Sequence, residues 1–433
     1  MKVTTVTRVT LGLALAVGLA VWLGASRAAA QPAPRYTVTD LGTLGGESFA
    51  LDINLQGQIV GTCRTTLGER AFLYSGGVMT PVGTLGGAYS YAYAINQVGD
   101  IAGDSETGGG LQHAYAWRGG VMTDLGTLGG ERSQANGINT RGQIVGWADL
   151  GPGTWHAFLF ENGVMTDLGA GLDGRSIATD IDEVGDVVGY HDAPGGSLPF
   201  RWAAGTATDL GTLGGTVGGA NKINMFGEIA GWSSYADNVA RPVIFSGGAP
   251  VDLGSLGGSD GSAWGINDVG RAVGYSLTGD GRWHAILHRG GVLYDLNDLI
   301  RSNSAVELIA ATAIDDLGRI VGFGCFAGQL AGRDCTGGQV RAVLLTPPPG
   351  QMLQDLFELL IRFRHLRVGG TSLRADLDGA SRCIDLGDTG CLDGHLSALA
   401  KEVEAQTGKA LTGNEARLLA TAAEALRAMR DDR

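Results

Sequence analysis

The heptapeptide Asp124-Leu125-Gly126-Thr127-Leu128-Gly129-Gly130 constrains this chain more than any other feature, because near copies of it return at an almost fixed interval. They begin at Asp40, Pro81, Asp167 (degenerate), Asp209 and Asp252, with a worn copy at Asp295. The first glycines of the copies, Gly42, Gly83, Gly126, Gly169, Gly211 and Gly254, are 41, 43, 43, 42 and 43 residues apart. A period near 43 that carries several short strand signals predicts a propeller blade rather than a helical repeat.

Three further signals recur in each unit. The first ends in Ile-Asn or Ile-Asp, at Ile53, Ile95, Ile138, Ile181, Ile223, Ile266 and Ile314, which counts seven units. Alanine always stands three residues earlier: Ala50, Ala92, Ala135, Ala178, Ala220, Ala263 and Ala311. The second is Gly-x-Ile-Val-Gly, as at Gly57–Gly61, Gly142–Gly146 and Gly318–Gly322, and the third is text like His156-Ala157-Phe158. Each is a short run rich in β-branched or aromatic residues and bounded by Gly, Asn or Asp, so each unit predicts four strands. The alanines suit the crowded innermost strand, and Asn or Asp followed three residues later by Gly suits a tight turn.

Residues Tyr36–Gly42 match the fourth-strand text, yet no first three strands precede them. Conversely, the unit containing Ile314 stops at Pro347-Pro348-Pro349 after its third strand. Pairing the two ends removes two sheet edges that would invite aggregation. The expectation is therefore an all-β, seven-bladed β-propeller over residues 31–346, its four-stranded blades closed by the N-terminal strand. A proline-rich linker at 347–351 follows, and then helical spacing of Leu353, Leu356, Leu360, Phe363 and Leu366 marks a small all-α module over 352–433.

These repeats resemble the HAF-type extracellular repeats of bacterial exported proteins. The likeness runs from residue 36 to 346 and implies secretion and a repeat β fold, with no established chemistry to transfer. The histidine place holds His113, His156 and His284 but Arg70, Arg241, Arg341 and Leu198 elsewhere, which speaks against a role needing histidine in every blade. The stretch Leu396–Thr412, with Ala405-Gln406-Thr407-Gly408-Lys409-Ala410-Leu411, resembles the helical module called FIMAH, though Leu399-Ala400 replaces its usual Phe-Ile. That resemblance implies an accessory or interaction module.

At the N-terminus Lys2 and Arg8 precede an apolar run, Leu11 to Ala25, and a small-residue site at Ala28-Ala29-Ala30. This reads as a signal peptide, residues 1–30, cleaved after Ala30, and no other stretch is long and apolar enough to span a bilayer. The full chain carries a net charge of −13, and loss of Lys2, Arg8 and Arg27 with the signal leaves −16, which disfavours nucleic acid as a partner. In an exported chain Cys325 with Cys335, and Cys383 with Cys391, are disulfide candidates, leaving Cys63 unpaired.

Chemistry is sparse. Gly257-Gly258-Ser259-Asp260-Gly261 matches Gly-x-Ser-x-Gly in a context without the required helix, and Asp376, Asp378, Asp385, Asp388 and Asp393 fit helix capping better than a calcium loop. No catalytic residue, metal or cofactor is expected. The residue after the second strand's closing glycine is aromatic in five units, Trp147, Tyr190, Trp232, Tyr275 and Phe323, against Thr62 and Asp104. With Asp149, His191, Asp192, Tyr235 and Trp283 from the adjoining loops, these are ligand-binding candidates suited to an extracellular glycan or surface protein. The competing reading, which the residue types favour, is that the rings pack between blades. The expected function is a non-catalytic exported binding protein, monomeric; the alternatives are a polysaccharide lyase or hydrolase on the same scaffold, or a structural surface-layer component.

Overall fold

The computed structural model describes residues 35–433 apart from 170, 171, 173, 248, 301–304, 328, 332–333, 363–374, 377, 381, 384–385, 387, 407–412, 414–415, 417–418 and 425–433. The expected signal peptide lies outside the described residues. Seven four-stranded antiparallel sheets form the blades of a propeller. Blade one runs Ser48–Ile53, Ile59–Thr65, Gly68–Ser75 and Val78–Pro81. Blades two to six repeat this order from Gly86, Ser133, Ser176, Gly218 and Gly257. Blade seven takes Val306–Ile314, Ile320–Phe326 and Gln339–Thr346 from one end of the chain and Thr37–Asp40 from the other. Thr37 stands opposite Thr346 and Asp40 opposite Val343, so the ring closes as its unpaired repeat text requires. Beside this seam Tyr36 is fully buried, and its N–H donates to the Leu299 carbonyl at 2.8 Å. At the worn copy the Asp295 carboxylate accepts the Asn297 N–H and caps a four-residue helix, α1 (Leu296–Leu299).

Every innermost strand carries a β-bulge just after its alanine. In blade one Ala50 faces Gly61 while Asp52 faces Val60, leaving Leu51 as the extra residue; the shift recurs between Ala135 and Gly137 and between Ala178 and Asp180. The bulge brings both the alanine and the isoleucine three residues later into the core, where strict alternation would separate them. The facing glycine is obligatory, because a Cβ on Gly61 would stand 2.0 Å from the Phe49 carbonyl oxygen and one on Gly146 1.8 Å from that of Gln134.

The Asn that follows five of the seven isoleucines does more than turn the chain. Its Oδ1 accepts backbone N–H groups of its own turn, as Gln58 N–H to Asn54, while its Nδ2 donates to the backbone carbonyl of the equivalent residue in the next blade. Asn54 reaches Asn96 at 3.1 Å, Asn96 reaches Asn139 at 3.0 Å, Asn139 reaches Asp182 at 2.9 Å, Asn224 reaches Asn267 at 2.9 Å and Asn267 reaches Asp315 at 2.8 Å. Asp182 and Asp315 have no amide to give, and the Asp182 carboxylate holds its own turn through the Val184, Gly185 and Asp186 N–H groups. At the seam Arg319, held by the Asp315 carboxylate at 2.5 Å, takes the amide's place and donates to the Asn54 and Leu55 carbonyls at 3.3 and 2.8 Å, joining blade seven to blade one. Polar residues at the bulge add a second circuit: Asn136, Thr179, Asn221 and Thr312 donate to the carbonyls of Ala178, Ala220, Ala263 and Ala50.

Among the described residues, two longer helices follow the ring, α2 (Pro349–Arg362) and α3 (Thr389–Gln406). Helix α2 begins at Pro349, within the stretch the sequence marks as linker, and buries Met352, Leu353, Leu356 and Leu359; Phe363, Leu366 and the Leu360 side chain lie outside the described residues. These pack with Leu396, Leu399 and Val403 of α3 and with Leu55 and Leu317 from the asparagine turns of blades one and seven. Polar ties fix the junction: Arg271 pairs with Asp355 and Glu358, Arg362 pairs with Glu228 at 2.7 Å, and Arg289 donates to Gln351 at 2.7 Å. Asp388 caps α3, accepting the Cys391 N–H at 2.9 Å. Disulfides join Cys325 to Cys335 and Cys383 to Cys391, and Cys63 is a buried free thiol. No helix among the described residues is long and apolar enough to cross a membrane.

A chain beginning at Thr43 leaves the Gln339–Thr346 edge bare and should lose soluble monomer in size-exclusion chromatography; an unchanged melting curve would overturn the closure. Asn139→Ala strips the donor from the Asp182 carbonyl and should cost about 1–3 kcal/mol in urea denaturation.

Candidate functional site

Alternation of strand direction divides the turns between two ends of the ring. The Gly-Thr-Leu-Gly-Gly turns and the loops joining second to third strands share one end. The asparagine turns, with α2 and α3 packed on part of them, occupy the other. Three places on this frame hold polar groups in concentration: the axis, the histidine positions and the clefts near the loop end.

A cavity of ≈ 160 Å³ lies on the axis. Lys222 stands in it between Asp180 at 3.4 Å and Asp52 at 3.6 Å. Both carboxylates are also backbone acceptors for the next blade, taking the Ile223 and Ile95 N–H groups at 3.0 Å. Burial pushes Asp180 up to about 6 against the pull of Lys222, and the two carboxylates raise Lys222. Towards the asparagine turns, Asp316 accepts from the Asp268 N–H at 2.7 Å and Asp268 from the Met225 N–H at 2.9 Å. Burial raises both carboxyls, so the pair favours holding a proton. The ionisable groups of the axis are thus bound into the joints between blades.

The repeat histidines have a structural role within their blades. His113 bonds Asp124 at 2.8 Å, His156 bonds Asp167 at 3.0 Å and His284 bonds Asp295 at 2.6 Å, each joining the third strand to the fourth. The aspartates also accept the N–H two residues on, at Gly126 and Gly169, which starts the turn to the next blade. Arg341 makes the same pair with Asp40 at 2.7 Å in blade seven. Where Leu198 breaks the pattern, His191 reaches Asp209 from the second strand at 2.8 Å. Blade one has Pro81 at the aspartate place, and Arg70 turns instead to the Ala88 carbonyl. Ser259 sits exposed in the strand Gly257–Ile266 with no helix after it, so it forms no nucleophile elbow.

Apart from Tyr235, the aromatic candidates sit half-buried or buried among side chains of the blades and loops. Phe323 meets Phe49 of blade one edge-on at 5.1 Å. Trp147 lies 6.1 Å from Trp155, which Arg175 of the next blade covers at 4.5 Å while pairing with Asp192 at 2.7 Å. Tyr275 stacks on Trp283 at 4.3 Å and lies tilted against Trp264 at 5.0 Å. Trp232 lies over Gly219, where a Cβ would stand 2.6 Å from the indole nitrogen. Tyr190 stands opposite Ile177 and Pro199, and burial raises its hydroxyl. Asp149 is buried and held by Arg132 at 3.1 Å, and Tyr235 donates to Asp252 at 2.9 Å from an exposed loop.

Blade two departs from its sisters. Its first strand bears Tyr89, Tyr91 and Tyr93 on alternate positions, with Tyr91 and Tyr93 parallel within 6° at 6.0 Å and Tyr89 5.9 Å from Tyr91. Opposite Tyr91 stands Asp104, fully buried. The Tyr93 hydroxyl and the Gln112 amide approach its carboxylate, but neither closes a hydrogen bond of good geometry. Burial pushes this carboxyl up to about 7. Between blades one and two a groove of ≈ 360 Å³ opens over these residues, with Glu69 on its other wall accepting the Tyr91 hydroxyl at 3.2 Å. The sequence marked Asp104 only as an exception to the aromatic series; three tyrosines two apart in one strand were the available signal.

No family model and no curated protein matches the chain. Solved structures that resemble it include TolB from Acinetobacter baumannii (TM-score 0.39, 13% identity, 57% of this chain and 61% of that one). AofleA from Arthrobotrys oligospora gives 0.35 and 11% over 62% and 90%. An Aleuria aurantia lectin mutant in complex with Fucα1-6GlcNAc gives 0.33 and 14% over 73% and 98%. The chain thus spans about 61% of the TolB structure, and values this low carry no argument about what it binds.

A carboxyl raised in the folded state favours folding while protonated, so Asp104 costs nothing near pH 4 and progressively more as pH rises to about 7. Asp104→Asn keeps the shape without the charge. It should match the parent near pH 4 and exceed it at pH 8 by at most about 4 kcal/mol in urea denaturation; equal stability at pH 8 would contradict this account.

Proposed function

We propose that the chain is an exported, non-catalytic binding protein of the HAF-repeat type. Its ring holds the loop end as a display surface for an extracellular saccharide, and its FIMAH-like helical module is an accessory interaction unit. The observation that carries this reading is the division of labour between the two ends and the axis. The histidines and axial carboxylates that acid–base chemistry would draw on are tied within blades or between them. The loops between second and third strands, by contrast, differ in every blade and expose large apolar tips: Leu67, Leu111, Leu150 and Tyr235. Apolar tips beside carboxylates suit a ligand with both apolar faces and hydroxyl groups. A rigid ring under the loops lowers the ordering cost of binding. The disulfides and the absence, among the described residues, of a membrane-spanning helix are compatible with an extracellular or periplasmic location.

An array of extracellular oligosaccharides probed with the purified chain should show selective retention with no change in the bound sugar. Release of shortened or unsaturated products would replace this reading with a polysaccharide hydrolase or lyase, and uniform silence would remove the saccharide.

A further inference from the structure

We propose that the groove between blades one and two is a binding subsite for a neutral saccharide, which packs on Tyr89 and Tyr91 over the buried Asp104 and exchanges hydrogen bonds with Glu69 and Gln112. The inference rests on the binding reading above and gives it a place. At ≈ 360 Å³ the groove falls at the lower end of the range for ligand pockets.

Nothing in the repeat requires these residues. Sister blades carry Arg132, Gln134 and Asn136, or Val217, Gly219 and Asn221, where blade two carries its three tyrosines, and they close equally well. Asp104 replaces an aromatic side chain with a fully buried carboxylate that the Tyr93 hydroxyl and Gln112 amide approach without closing a hydrogen bond of good geometry, and the Tyr115 hydroxyl is buried without a partner. An unsatisfied buried carboxylate at the wall of a groove marks a site shaped by something other than folding. Gly68 keeps the entrance clear: its φ is +109°, and a Cβ there would come within 2.8 Å of the Ala88 carbonyl oxygen.

The chemistry of the lining selects the ligand class. Glu69 and Asp104 repel anions, and the nearby cations are engaged, Arg64 with Glu47 and Glu69, Arg70 with the carbonyls of Glu69 and Ala88. The tyrosines stand in file along one strand and do not surround a centre, so they offer an extended ligand successive rings and do not form a cage for a methylated ammonium group. A pyranose meets both demands, since its C–H face packs on an aromatic side chain while its hydroxyls donate to the Glu69 carboxylate and accept from the Gln112 amide.

Ligand-observed NMR with the methyl glycosides of glucose, galactose, mannose and N-acetylglucosamine tests the subsite in the full chain. Tyr89 is partly exposed, so Tyr89→Ala should keep the parent melting curve and weaken binding at least tenfold; Glu69→Gln provides a second variant that leaves the ring ladder whole and should also weaken it. Val121→Thr, at the opposite end of blade two and largely exposed, should bind as the parent does. Parent-like binding by both Tyr89→Ala and Glu69→Gln overturns the subsite while leaving the saccharide reading standing. A parent chain that retains oligosaccharides on the array yet binds none of the glycosides overturns the subsite as well. Silence in both experiments removes the binding reading and the subsite together.

Discussion

The joint between neighbouring blades at the axis is the interaction on which this molecule depends. A propeller brings seven innermost strands together where there is little room for side chains and many backbone carbonyls reach the end of their sheets. Each carbonyl buried there without a donor would cost about as much as a lost hydrogen bond. The asparagine turns answer this directly, since one side chain holds its own turn with Oδ1 and the next blade with Nδ2. Two turns carry aspartate instead: Asp182 holds its own turn through its carboxylate, and at Asp315 an arginine four residues later supplies the missing donor at the seam where blade seven must meet blade one.

Committing the axis to this task moves the opportunity for recognition elsewhere. Lys222 between Asp52 and Asp180, and the Asp268–Asp316 pair, look like chemistry when seen as a cluster of charges, but their hydrogen bonds run across blade joints. The helical module lies against the asparagine-turn end, with Leu55 and Leu317 drawn into its core and Arg271 and Arg362 into its ion pairs. That leaves the loop end and the clefts below it free to vary, and there blade two diverges from the repeat.

Much of this architecture was legible beforehand because repetition amplifies weak signals. One Ala-x-x-Ile means little, but seven at a spacing of about 43 place an innermost strand in each blade. The orphan strand at Thr37–Asp40 predicted its own partner, and the two cysteine pairs followed from spacing. What escaped was anything requiring a second partner in space. The bulge after each alanine is invisible to a period-two reading, the asparagine circuit needs the next blade in place, and the histidine–aspartate pairs join positions 11 residues apart that only strand register brings opposite. Five of the ten candidates were chosen for belonging to an aromatic series and the other five for lying in the loops beside it, whereas the groove in blade two is built from residues that leave the series.

Sharing the final sheet between the two ends of the chain has a consequence for assembly. As the polypeptide emerges, Thr37–Asp40 is among the first described segments to appear, yet its partner Gln339–Thr346 comes roughly three hundred residues later. Six blades are complete in sequence while both rims of the arc stay open, and Arg319 cannot dock on Asn54 until almost the whole ring has been made. Such late, long-range pairing slows folding and prolongs the exposure of bare strand rims. The route out of the ribosome therefore matters: this sequence is best served by being kept extended until its last blade has arrived.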